Sequence, residues 1–354
     1  MKRRFLSLLS LLCLTAAAAG CGHSQSHPVS TPSQPGTTAS SAAPTVTAPT
    51  QPARDRNPLT GQDDIVPGSG TRPVAVMIEN SAQARPQVGL DAADLLFEAE
   101  TEGGITRMMA VFANSSRIPD KLGPVRSART HFALLAQALD AVYAHFGQST
   151  AALAMINRYS IPHIDGLVYD GSTFIRDKGL AASRGSVHSV VTGGDKIAAR
   201  MKAMNMKNDS SRKAPFLFGA KAGGGAGQQV QIFFSGAQTV SFRYDASSGL
   251  YTKSNGPLSN PTTHVTDQGV PLTFANVLLM YDEKYAENDT TISFRLQSGS
   301  GLLISGGTSR SIRWTRSGSQ LAFTEADGSA LQVAAGKSYI ALLPKSNAGS
   351  TVVK

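Results

Sequence analysis

Cysteine is almost missing from this chain of 354 residues: there are two, Cys13 and Cys21. Both fall at the extreme N-terminus, so the body can hold no disulfide, no thiolate metal site and no cysteine nucleophile. Charge is sparse too, with 16% Asp, Glu, Lys and Arg, and aromatic residues make up 6% with a single Trp. There is no run of Lys or Arg and no basic stripe interleaved with aromatics, so the footprint of a nucleic-acid binder is lacking and no nucleic-acid partner is expected. Beyond the first 20 residues no apolar run approaches membrane-spanning length. The G-x-S-x-G elbow, H-E-x-x-H, the P-loop and the dinucleotide fingerprint are all absent, and the GGGAG at 223–227 follows no strand-to-helix pattern. No cofactor and no metal are expected from such a chain.

What is present begins with MKRRFLSLLSLLCLTAAAAGCG, a basic start, a short apolar run and small residues ending at a cysteine. This layout reads as a signal peptide over residues 1–21 with a lipobox, in which the Cys21 thiol accepts a diacylglyceryl group and becomes the mature N-terminus. Residues 22–56 consist mostly of Ser, Thr, Pro, Ala and Gln. Such a composition buries too little apolar surface to offset chain entropy, so a disordered tether is expected, holding the body roughly tens of ångströms off the membrane. The formal charge of +9 falls once Lys2, Arg3 and Arg4 leave with the signal. The mild positive balance that remains permits attraction to anionic lipids or wall polymers.

The body divides by texture. Residues 72–80 (RPVAVMIEN) and 105–114 (ITRMMAVFAN) read as buried strands, and 91–104 has apolar positions at helical or strand spacing. Residues 128–146 carry Phe132, Leu135, Leu139, Val142 and Tyr143 at helical spacing and predict one long helix. Shorter helices are expected at 151–159 and 196–204. Alternating strands and helices predict a layered α/β domain over 57–206. A flexible linker over 207–228 follows, and the short strands with Gly- and Asp-bearing turns over 229–354 predict a mostly antiparallel β domain. The expected class is α+β.

Chemistry is expected in the first domain, where charges are segregated along the chain. Residues 79–102 hold Glu79, Asp91, Asp94, Glu98, Glu100 and Glu102, while 105–131 hold Arg107, Arg117, Lys121, Arg126 and Arg129. Two such blocks in one compact layer should pair, because an unpaired buried charge costs several kcal/mol. Arg126 and Arg129 are three apart and, if helical, share a face near a helix start, where the macrodipole disfavours cations. Either Glu98 and Glu102, four apart, compensate them, or an outside carboxylate or phosphate does. His131 and His145, fourteen apart, make no metal pair and read as structural histidines, while His163 with Asp165 is too loosely spaced to assign and His188 is near Arg176 and Asp177 only in sequence. A second reading draws on Glu98 and Glu102 with His145 or Asp177 as acid and base for cleavage of a wall glycan or acyl bond.

Several stretches together point to a family. NPLTG (57–61), RPVAVMIENSAQARPQVGL (72–90), ADLLFEAETEGGITRMMAVF (93–112), GPVRSAR (123–129), AHFGQS (144–149) and FIRD (174–177) stand in the order and spacing of the YerB-like bacterial lipoproteins. NVLLMY (276–281), ADGSALQV (326–333) and GKSYIALLP (336–344) resemble that family's C-terminal domain. The resemblance implies an exported, membrane-anchored protein of two domains and unassigned activity. It also implies that one polar set acts as a group: Glu98, Glu102, Gly103, Gly104, Arg107, Arg126, Ser127, Arg129 and His145, with Arg176 and Asp177. The chain departs from the family pattern at Val187-His188-Ser189, where Pro-His-Asn is usual. The function expected is a non-catalytic binding or accessory module of the envelope whose Arg/Glu cluster recognises an anionic wall polymer or an envelope protein.

Overall fold

The alternation Val74-Ala75-Val76-Met77-Ile78 sets the architecture. All five side chains are buried, but Val74, Val76 and Ile78 join one core while Ala75 and Met77 join another. A strand that is apolar at every position must be covered on both faces. The structure, a computed structural model, describes residues 53–219 and 223–354. Cys21 and nearly all of the expected tether lie outside the described residues. Asp55 and Arg56, at the tether's end, pair with residues 63–65.

The first half contributes strands β1 (Val74–Glu79), β2 (Leu95–Glu100), β3 (Thr106–Phe112), β4 (Val142–His145) and β5 (His163–Asp165). Its helices are α1 (Thr130–Ala138), α2 (Thr150–Arg158), α3 (Lys178–Arg184) and α4 (Gly194–Ala203). The second half contributes β6 (Gln229–Ser235), β7 (Gln238–Asp245), β8 (Leu250–Asn255), β9 (Asn276–Asp282), β10 (Ser298–Ser305), β11 (Thr308–Ser317), β12 (Gln320–Glu325) and β13 (Ser338–Pro344). The class is α+β, mixed in the first half and mostly antiparallel in the second.

One sheet of 11 strands runs through both halves, in the order β11-β10-β9-β13-β2-β3-β1-β4-β5, with β12 and a short strand at 225–226 on β11. The two halves join where β13 lies parallel to β2, pairing Ser338 with Leu95 and Leu342 with Ala99. A 6-stranded sheet containing β6, β7 and β8 covers one face. Val230, Ile232, Phe242 and Tyr251 pack there against Val76, Ile78, Leu96 and Met108. Helices α1 and α2 cover the other face through Phe132, Leu135, Ala152 and Ile156, against Met77, Phe97 and Met109. The stretch 207–228, expected as a flexible linker, is hydrogen-bonded at several points. The Asn208 carbonyl accepts from the amides of Thr71 and Arg72 at 3.1 and 3.0 Å, Phe216 is buried, and residues 217–218 pair with 332–333.

The long helix expected over 128–146 is two elements. α1 ends at Ala138, Asp140 takes a left-handed conformation at φ 52°, and the chain returns as β4. Asp140 is held in that turn by an ion pair to Arg72 at 2.8 Å. The spacing misled because the apolar residues of α1 and of β4 happen to fit one helical pattern across the turn at Asp140, so it does not show the break. β-branched Val142 and aromatic Tyr143 belong to a strand. The helices at 151–159 and 196–204 match α2 and α4; α3 was not anticipated, although Asp177 caps it by accepting the Leu180 amide at 2.8 Å.

Candidate functional site

Losing the long helix separates the two arginines. Arg126 lies in extended chain, its amide on the Met77 carbonyl, and Arg129 is the N-cap of α1 at φ −131°, ψ 153°. Three residues apart in extended backbone, side chains project to opposite sides. Arg129 turns inward onto Glu102, with Nε donating to Oε2 at 2.8 Å and Nη2 to Oε1. Arg107 donates to the same carboxylate at 2.6 Å and to the Ser127 carbonyl at 2.9 Å. Burial pushes the Glu102 carboxyl up, but the Arg129 hydrogen bonds and the two guanidinium charges outweigh it and hold it at about 2. Burial and the neighbouring Arg129 lower Arg107 to about 10. Glu102 therefore neutralises the cation at the helix N-terminus, and Arg129 is only 8% exposed. Gly103 and Gly104, at φ 69° and 72°, shape the turn between β2 and β3, and the Gly104 carbonyl accepts from the Ser235 hydroxyl.

The other expected members lie apart from that triad. Arg126 pairs with Glu79 at 3.4 Å, and the same carboxylate takes His188 Nδ1 at 2.9 Å. His145 is buried on β4 between the Gly147 carbonyl and His163, 2.9 and 3.1 Å away. Burial, first of all, drops its pKa to about 4. Arg176 lies over the Phe146 ring and donates to the Ser186 carbonyl, and Asp177 pairs with Lys121 at 2.7 Å besides capping α3. Glu98 points to the opposite face of the sheet from Glu102, with Leu96 rather than with Phe97 and Ala99. Glu98 and Glu102 thus do not flank one cleft. Among the described residues no group of three His, Cys, Asp or Glu could hold a metal.

Glu98 belongs to a closed ring of polar side chains that crosses from one half to the other. Lys253 on β8 lies 3.4 Å from Glu98 Oε2 and donates to His264 Nδ1 at 3.2 Å. His264 Nε2 donates to Gln87 Oε1 at 2.7 Å, Gln87 Nε2 to Asn80 Oδ1 at 3.2 Å, and Asn80 Nδ2 back to Glu98 Oε1 at 3.0 Å. Thr106 and Tyr339 hydroxyls also donate to Glu98, at 2.7 and 2.8 Å. An ammonium cannot accept, so His264 Nδ1 must be the bare nitrogen and the ring is neutral imidazole. Burial, then Lys253 and Arg85, push its pKa well below the usual value, in agreement. Both Lys253 and Glu98 have no exposed side-chain surface.

Beside this ring a hollow of about 550 Å³ opens between Arg85 and Pro86 of the first half and Asn255, Pro257, Asn260 and His264 of the second. Arg85 is partly buried, which lowers its pKa, and it lies within electrostatic reach of Glu98. It makes no hydrogen bond and no ion pair to any described residue. Arg85 and Lys253 thus both lie within electrostatic reach of Glu98, and the Arg85 side chain lines the hollow.

Comparison with known sequences finds two adjacent domain models on this chain. Models for the N-terminal and C-terminal domains of a protein of unknown function (DUF3048) match residues 59–207 and 230–340. The chain belongs to the DUF3048 family. A relative in Bacillus subtilis (strain 168), named "Putative lipoprotein YerB", is 30% identical to this DUF3048 chain over 302 residues, 83% of this chain and 87% of that one. The crystal structure of the YerB protein from Bacillus subtilis aligns with a TM-score of 0.72 at 28% identity, covering 84% of this chain and 98% of that chain. Among the described residues of this DUF3048 chain no helix is long and apolar enough to cross a membrane.

Sequence reasoning missed Arg85, Gln87, Lys253, His264 and Tyr339. One signal was available: in LYTKSN, Lys253 has the same parity as the core residue Tyr251, and both are buried while Thr252 and Ser254 are less so. A lysine at an inward position of an amphipathic strand announces a buried partner.

Proposed function

We propose that this DUF3048 protein is a lipid-anchored, extracytoplasmic binding module that receives an anionic group in the seam hollow built on Arg85. The observation that carries the reading is a partly buried guanidinium at the wall of the hollow with no hydrogen-bond acceptor among the described residues. A guanidinium in that state is a ready partner for a carboxylate or phosphate, which it can hold with two parallel N–H donors. The ring behind it is hydrogen-bonded from Lys253 through His264 to Gln87 and forms the floor. Preorganised groups lose little entropy on binding. Anchoring through Cys21 would keep the module at the membrane surface, within reach of wall polymers and envelope proteins.

The test is calorimetric titration of the purified body with inorganic phosphate at low salt. Binding to the wild type, lost in Arg85→Gln and kept in Arg126→Gln, is the expected pattern. Loss in Arg126→Gln with Arg85→Gln unaffected would move the site to the Glu79 cluster and overturn the proposal. Cys21→Ser should separately shift the protein from the membrane fraction to the soluble one; retention at the membrane would remove the anchor.

A further inference from the structure

One wall of the hollow is an open sheet edge. The short strand Thr262–Thr263 is the last strand of the 6-stranded sheet and lies on β8. Asn255 of β8 pairs with Thr262, and the His264 amide donates to the Lys253 carbonyl at 2.9 Å, so Thr263 between them turns its N–H and C=O outward. Val265 does the same, because the Leu272 amide donates to the His264 carbonyl and the Thr266 amide donates to the Val270 carbonyl, both on the inner side. Among the described residues nothing pairs with the backbone of Thr263 or Val265, and both residues line the hollow.

The facing wall is extended chain. Arg85 has φ −87° and ψ 147°, and two residues further on the Gln87 carbonyl accepts from the Asp267 amide at 3.0 Å. That bond fastens the two walls together at one end. Back from it they part, with Ala82, Arg85 and Pro86 on one side of the hollow and Thr263 and Val265 on the other. The gap has the form of a sheet with one strand left out, closed where Gln87 meets Asp267. An open edge gives main-chain hydrogen bonds to an added strand, a common way of holding an extended peptide. A guanidinium without an acceptor gives two parallel donors to a carboxylate. A peptide that enters from the open end has to stop at the closed one, beside Arg85. The end it places there is a carboxylate, because an N-terminal ammonium would meet a like charge.

We infer that the seam hollow takes the C-terminal end of an extended peptide, added as a strand on Thr263 and Val265, with its terminal carboxylate on Arg85. This rests on the proposed anion site and adds the chemistry of the rest of the ligand. A bare anion leaves the sheet edge unpaired, and a peptide without the carboxylate leaves Arg85 unpaired.

Calorimetry on the wild-type protein separates the cases with five probes: acetate, N-acetyl-tetraalanine as the free acid, the same peptide as its C-terminal amide, the free acid with its inner amide nitrogens methylated, and N-acetyl-Ala-Asp-Ala-Ala amide. The free acid should bind at least tenfold more tightly than acetate. Methylation should erase that advantage, because it removes the donors that pair with the edge, and neither amide should bind measurably. Thr263→Pro, verified by an unchanged melting profile, deletes one outward N–H and leaves the bonds to β8 in place; it should lower affinity for the free acid and not for acetate. Equal affinity of the free acid, its methylated form and acetate overturns the inference while leaving Arg85 as an anion site. Binding of the Asp-bearing amide as tight as that of the free acid overturns the chain-end assignment. No binding by acetate or by either acid overturns both readings.

Discussion

Replacing Glu98 by Gln removes the only carboxylate among the described residues that pairs with the fully buried Lys253. The ammonium of Lys253 lies 3.4 Å from Glu98 and has no exposed surface. At an effective dielectric of about 20, a pair at that separation interacts by roughly 5 kcal/mol, and breaking a buried pair from one side costs about 3–5 kcal/mol. The alternative for Lys253 is to give up its proton. From an ordinary lysine pKa that also costs about 5 kcal/mol at pH 7, and burial has already lowered this one. Both routes give a loss of about 3–5 kcal/mol for Glu98→Gln, in a seam that ties β2 to β8. Urea unfolding at pH 7, followed in parallel by the fluorescence of buried Trp314 and by circular dichroism, measures it. Two further outcomes are specific to the charge. Glu98→Gln with Lys253→Met should recover most of the loss, because apolar replacement of both partners is close to neutral. The loss in Glu98→Gln alone should also shrink as pH rises toward 10, since the unfolded lysine then surrenders its proton more cheaply. A loss below about 1 kcal/mol, or a double variant as unstable as the single, would mean that the ring is not an ionic lock.

Two other perturbations probe the helix face. Glu102 is held at about 2, below its ordinary range, so its contribution is complete above about pH 4.5 and disappears as pH falls through about 2. Glu102→Gln should cost about 2–3 kcal/mol at pH 7 after allowance for its partial exposure, and should flatten the fall of the urea midpoint between pH 4.5 and 2. An unchanged acid profile would contradict that assignment. His131, fully buried beside Arg129 and Arg107, has its pKa pushed down by burial first and by those charges second, to about 3. It should stay neutral by NMR at pH 5, and it costs the fold stability only as pH falls from about 6.5 toward 3. An imidazole that titrates near pH 6 would show that the site is wet.

Much of this fold was readable from periodicity, and the exceptions have physical causes. Val74 to Ile78, 105–114 and the strands beyond Gln229 alternate or run apolar between turn residues, and each forms the expected strand. The stretch 128–146 failed because Asp140 turns the chain between two apolar segments whose residues fit a single helical spacing. The pairing of Glu102 with Arg107 and Arg129 was legible as two charge blocks close in sequence. Glu98 was misplaced because its partners, Lys253 and Tyr339, come from strands far along the chain, the latter 241 residues away. Sheet topology brings them together, and no local spacing encodes it. Arg85, the lone base among the acids of 79–102, was given no role for the converse reason: it matters because no described residue hydrogen-bonds to it, which only a folded neighbourhood can reveal.

The identity of the anion receptor can be read from the arginine side chains themselves. In a phosphate titration of nitrogen-15-labelled protein, with the Arg85 Nε–H signal assigned by its loss in Arg85→Lys, that signal should shift saturably while those of Arg129 and Arg107, already held by Glu102, stay in place. A shift confined to Arg126, or no shift at Arg85 at phosphate concentrations that move other signals, would contradict the account.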